Sequence, residues 1–139
     1  MSRAGYCDDG DEWALIRWRG AVNSAIKGKR GQKFLREMAQ SLDAMPEKKL
    51  IKEELMTIEG VCALGAVAVS RNIDVTNIES YENHDQLSTI FGIAPAMIRE
   101  IEYINDEHGW GDIGTERRWF LVRGWVDEQI EIKAHDPSH

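Results

Sequence analysis

The chain has 139 residues and is short of the residues that staple small proteins or mark common sites. Its two cysteines, Cys7 and Cys62, form neither a disulfide framework nor a metal-ligand spacing, which points to a reducing compartment. Three prolines are too few for a disordered or low-complexity chain. No apolar run approaches the roughly 18 residues that a membrane span needs, and the polar, acidic first eleven residues are unlike a secretory signal. His84, His108, His135 and His139 make no His-x-x-x-His pair, and no Cys-x-x-Cys occurs, so no metal is expected. No Ser-His-Asp order, glycine-rich nucleotide loop or paired glutamates stand out either. The expectation is a protein without cofactor or catalytic activity.

What the chain does have is enough apolar sequence for one core, 42% of its residues, and an uneven charge distribution. One domain over residues 1–139 is expected, with tails at 1–11 and 134–139. The net charge is −7, yet Trp13 to Arg36 carries seven cations and no anion. These are Arg17, Arg19, Lys27, Lys29, Arg30, Lys33 and Arg36. A cationic island on an anionic body reads either as a solvated face, as a surface neutralised by the chain's own acids, or as a contact for an anionic partner.

Periodicity predicts a mostly α, compact helical bundle of about five to six helices. Leu15, Trp18, Val22, Ala25 and Ile26 recur at helical spacing over 13–27. Gly28-Lys29-Arg30-Gly31 reads as a basic turn into a second helix over 32–45, striped by Phe34, Leu35, Met38, Leu42 and Met45 and ended by Pro46. Leu50-Ile51 and Glu54 to Thr57 fit either a short β-hairpin near residues 50–57 or a loop with a helical turn. The small apolar run Val61 to Val69 suits a buried central helix, although a buried strand would also fit, with Cys62 as a packed thiol. Helices are predicted over 85–91 and 94–108, where Met97, Ile101, Ile104 and His108 share a face and His108 offsets the helix dipole. Neighbouring Asn105, Asp106 and Glu107 point about 100° apart and do not converge on one atom. After a glycine-rich loop over 109–114, Thr115 reads as the N-cap of a last helix to about Lys133.

Several strings carry a resemblance: Trp18-Arg19-Gly20-Ala21-Val22, the Gly28-Lys29-Arg30-Gly31-Gln32 turn, Val61 to Ala66, Asn105-Asp106-Glu107, and Arg118-Trp119 with Trp125-Val126. Over residues 12–130 the chain resembles a family of small proteins of phages, prophages and mobile elements that has no established activity. The resemblance implies an accessory gene product in the bacterial cytoplasm, a class that often binds and diverts host machinery, including defence systems. The expected function is therefore non-enzymatic binding, and perturbation, of a host protein or defence complex.

Three segments are candidate contact sites. The basic island offers Arg17, Lys27, Lys29, Arg30, Lys33 and Arg36 to an anionic partner, because a Gly-Lys-Arg-Gly turn at a helix start combines free N–H groups, the helix dipole and cations. Residues 85–104 are similar to a repressor-type helix-turn-helix, with Leu87, Ile93, Ile98 and Ile101 at core positions, Ser88 at the small position and Gly92 at the turn. A DNA-binding regulator using this segment or the island is the alternative function. Glu100 and Glu102 read as outward-facing there, with Arg99 the one cation, which favours a structural corner over a base reader. On the last helix, Trp119, Val122, Val126 and Ile130 form one apolar stripe, while Leu121, Trp125 and Ile132 form a second. The second stripe fits either a helix sandwiched within the domain or an interface with a sister subunit or another protein, anchored by Trp125.

Overall fold

A computed structural model describes residues 12–107 and 113–131. Cys7, His108, Ile132, Lys133, His135, His139 and most of the glycine-rich loop lie outside them. The described residues form six α-helices and one two-stranded antiparallel hairpin. These are α1 (Glu12–Lys27), α2 (Lys29–Ala44), β1 (Met56–Thr57), β2 (Gly60–Val61), α3 (Ala63–Ser70), α4 (His84–Phe91), α5 (Pro95–Glu107) and α6 (Thr115–Gln129). The mostly helical class with a small hairpin is as the periodicity predicts. No helix among the described residues is long and apolar enough to cross a membrane.

The apolar stripes meet in one cluster. Small residues make α3 its axis, because Ala63, Leu64, Ala66, Val67 and Ala68 are all buried and α2 and α5 close on it from two sides. The stripe of α2 supplies Phe34, Leu35, Met38 and Leu42, and that of α6 supplies Trp119, Val122 and Val126. Burying side chains of this size contributes about 1.5–3 kcal/mol each before entropy is counted. Polar side chains then fasten the helices end to side. Asn105 of α5 accepts a hydrogen bond from Ala63 N–H at the start of α3 (3.0 Å) and donates to the Ile51 carbonyl (2.9 Å). Arg71, just past α3, donates to both Glu37 carboxylate oxygens on α2 (2.7 and 2.6 Å) and to the Ile90 carbonyl at the end of α4 (3.1 Å).

Several local expectations need correction. The four-residue basic turn is shorter: α2 starts at Lys29 and the chain bends at Gly28 alone. Gly31 is helical and buried because a carbonyl of α1 crosses there; an added Cβ would sit 1.9 Å from the Ala25 oxygen. The hairpin pairs Met56 with Val61 and Thr57 with Gly60, whereas Leu50-Ile51 is an extended segment whose Ile51 N–H reaches the Val61 carbonyl (2.9 Å). Gly114 is the N-cap of α6 and Thr115 its first residue, and α6 stops at Gln129. Leu15, on the predicted inward stripe, is 59% exposed because the first turns of α1 extend past their packing partners.

Glycine spacing yields a direct test. Gly31 and Gly65 are close-approach sites, the latter's added Cβ falling 2.0 Å from the Leu55 carbonyl oxygen, while Gly20 has nothing within 4 Å. We expect Gly31→Ala and Gly65→Ala to lower the denaturation midpoint, by more than the usual helix-propensity gain. Gly20→Ala should raise stability by roughly 0.5–1 kcal/mol, the ordinary preference for alanine in an exposed helix. Urea unfolding of the three variants checks the opposite signs.

Candidate functional site

The basic island becomes a corner where α1 ends and α2 begins. One glutamine holds that corner. Gln32 is buried and donates from Nε2 to the Ile26 carbonyl at the end of α1 (2.9 Å) and to the Gln129 carbonyl at the end of α6 (2.9 Å). Its Oε1 accepts the Glu131 N–H (2.8 Å), so the ends of α1 and α6 converge on one amide. Arg36 adds a bond to the Glu131 carbonyl (3.1 Å). The sequence reading passed over Gln32, since an amide inside a basic run carries no periodic or charge signal.

The seven cations divide by partner. Arg19 reaches both oxygens of Glu100 on α5 (2.9 and 3.2 Å), and Arg36 is held at the Glu131 carbonyl. Arg17, Lys27, Lys29, Arg30 and Lys33 are exposed and make no hydrogen bond or ion pair with any described residue. The charge of Lys33 still acts on Glu37 one turn on, but none of the five bonds to an acid among the described residues. Lys29 and Arg30 also occupy the first turn of α2, whose N-cap Gly28 offers no side-chain acceptor and whose first turn holds no acid. Cations at the positive end of a helix dipole cost roughly 0.3–1 kcal/mol each. Lys33 stands one turn further on, neighbouring both in the i,i+3 and i,i+4 sense, where like charges repel. The arrangement works against stability and in favour of an anion.

The helix-turn-helix-like segment folds as a corner. Leu87, Ile93, Ile98 and Ile101 are buried, Gly92 takes the left-handed turn (φ 75°), and the Ser88 hydroxyl donates to the Ile93 carbonyl. The expectation that Glu100 and Glu102 face outward is wrong. Both are buried, because α1 covers one side of α5 and α4 the other. Arg19 takes Glu100, and His84 Nε2 lies 2.8 Å from Glu102 Oε1. Arg99 stacks over Trp18, its guanidinium 4.5 Å from the ring centroid. With α1 and α4 packed on it, α5 leaves exposed only a narrow strip through Pro95, Tyr103 and Glu107, on which half-buried Arg99 is the one cation.

The proposed interface stripe on α6 also needs correction. Trp125 is 8% exposed and belongs to the core, because α6 lies against both α2 and α5 and fills two apolar faces within the chain. Leu121 is half-buried, and Ile132 lies outside the described residues. Phe120 is the exposed aromatic of α6, at 65%.

Other features offer less chemistry. A groove of 360 Å³ runs between the hairpin and residues 76–81, lined by Glu53, Glu54, Thr57, Glu79 and Tyr81 among others, with no histidine, cysteine or cation in its lining. Among the described residues no group of three or more His, Cys, Asp or Glu side chains could hold a metal ion. Cys62 is a free, buried thiol. Asn105 and Asp106 are occupied structurally, Asp106 accepting the Glu53 N–H (3.0 Å). Comparison with protein-family models, with curated proteins and with solved structures returned no match.

Two predictions test this frame. Gln32→Ala removes bonds to three helix-end groups and should cost roughly 2–4 kcal/mol in urea unfolding. Gln32→Glu should do no better, because a carboxylate has no N–H for the Ile26 and Gln129 carbonyls. The second concerns acid. Arg71's hydrogen bonds, joined by its charge and that of Lys33, hold the Glu37 carboxyl below the usual glutamate value of 4.5 despite opposing burial. A depressed folded pKa means this stabilisation is present above that value and is lost as pH falls through the folded one. Stability measured from pH 6 down to 3 should therefore fall, and Glu37→Gln should start lower and show a shallower decline.

Proposed function

We propose that this chain is a non-enzymatic binding protein whose α1–α2 corner contacts an acidic surface on a partner protein. The carrying observation is the set of five exposed cations without a hydrogen bond or ion pair among the described residues, two of them in the first turn of a helix whose dipole opposes them. Such charges are costly in the free protein and are relieved by an anion. The resemblance to small phage, prophage and mobile-element proteins supports a bacterial host protein or defence complex as that partner, met in the host cytoplasm. Perturbing that target is the role in keeping with the resemblance.

A protein surface accounts for the charge layout better than a nucleic acid does. The chain as a whole is at −7, so a long polyanion meets net repulsion beyond the corner, whereas a local acidic patch within about 8 Å sees mainly the island. Nucleic-acid binding by the corner remains the competing outcome of the test.

The test opposes binding to stability. Lys29→Glu, Arg30→Glu and Lys33→Glu together should keep the fold and leave the thermal midpoint equal or higher, since acids in the first turn of α2 complement its dipole. Pull-down from bacterial lysate should lose the partner at the same time. Wild-type capture by the triple variant overturns the proposal, and so does capture of nucleic acid alone. Duplex binding whose affinity falls by roughly 0.9 log unit per log unit of salt for each phosphate contacted would assign the corner to DNA instead.

A further inference from the structure

The outer face of α1 joins the basic corner to an apolar anchor. Trp13, Ile16, Gly20, Ser24 and Lys27 follow one another at steps of three and four, with Arg17 beside them, and every one of them is exposed. Trp13 is 72% and Ile16 53% exposed, an unusual pair of large apolar groups to leave in water on one helix face. Between them and Lys27 lies Gly20, in mid-helix, where an added Cβ would meet nothing within 4 Å. Glycine there weakens the helix and serves no close approach among the described residues. The face thus presents bulk at one end, a low centre and cations at the other, continuing onto Lys29, Arg30 and Lys33 of α2.

We infer that this face seats an acidic amphipathic helix of the partner, which rests on the reading of the corner as a protein contact. Apolar side chains of that helix cover Trp13 and Ile16, its backbone approaches α1 most closely over Gly20, and its carboxylates meet Arg17, Lys27, Lys29, Arg30 and Lys33. The charges select this occupant. A second copy of the chain packed two-fold about Gly20 would lay these cations over Trp13 and Ile16 of its α1 rather than over a row of carboxylates. A phosphate backbone would satisfy the cations and leave Ile16 uncovered. At 1.5 Å per residue the 16 residues of α1 span about 24 Å, so a partner helix of four to five turns matches the face.

The probe is a labelled 20-residue synthetic helix with leucine on one stripe and glutamate on the rest, titrated with the protein by fluorescence polarisation at physiological salt. Two control peptides replace leucine with serine or glutamate with lysine. The leucine–glutamate peptide should bind, and both controls should bind at least roughly tenfold more weakly. Trp13→Ala and Gly20→Leu, both at exposed positions and checked for helical content by circular dichroism, should each weaken binding roughly tenfold. The Lys29/Arg30/Lys33 charge reversal should weaken it further. Absence of binding, or equal binding of the serine control, overturns the inference. If the charge reversal abolishes binding while Trp13→Ala and Gly20→Leu bind as wild type, the acidic contact stands and the α1 seat falls. Tighter, Trp13-dependent binding to duplex DNA or to phosphatidylglycerol vesicles also overturns it. If instead the charge reversal leaves lysate capture intact, the reading of the corner itself falls, independently of the peptide result.

Discussion

The Gln32 amide is the constraint on which the arrangement of the basic corner depends. A primary amide has two donors and an acceptor, and this one commits both functions to main-chain groups at the ends of α1 and α6 and just beyond α6. Carbonyls at a helix C-terminus have no intrahelical donor, so each unmet one is costly when buried. Gly31, the preceding residue, removes the side chain that would keep α1 at a distance. Together the two residues let two helices join through a single-residue bend and present their cations on one corner. Had the turn been the longer loop suggested by its glycines, the same lysines would sit on a flexible connection rather than on the first turns of a rigid helix.

The rest of the polar interior is occupied with the same task of joining helices. Asn105 secures the start of α3, Arg71 links α2 to the end of α4 while stacking near Phe34 and Phe91, and buried Arg118 donates to the Leu50 carbonyl (3.2 Å). Trp119 does likewise from its indole to the Leu42 carbonyl (3.2 Å). These side chains are engaged in hydrogen bonds that orient the backbone.

The helix-turn-helix-like pattern is met in every core position, with α1 and α4 packed against its second helix and Tyr103 left exposed on it. A pattern of buried residues defines how two helices cross, and the crossing angle is useful for packing whether or not a groove is read. On α1 the opposite holds: no motif marks it, and the exposure of Trp13, Leu15 and Ile16 shows only once the extent of its packing partners is known.

Helix positions, the apolar stripes of α2, α5 and α6, the buried α3 and the cationic island were legible from residue order, because helical periodicity and local charge are properties of neighbours in sequence. A hairpin near residues 50–57 was one of two open readings, beside a loop with a helical turn, since two residues per strand carry no alternation. Partners were the illegible part. Glu100 and Glu102 look solvent-facing until α1 and α4 arrive from 81 and 18 residues away, bringing Arg19 and His84. Trp125 looks like an anchor for another molecule until α2 and α5 are seen on both sides of α6. The same holds for the candidate site: sequence alone determined that seven cations stand together, and tertiary structure decided which five make no hydrogen bond or ion pair among the described residues. A charge is encoded by its own codon, but its neutralisation depends on distant residues, and only folding chooses which of them come within reach.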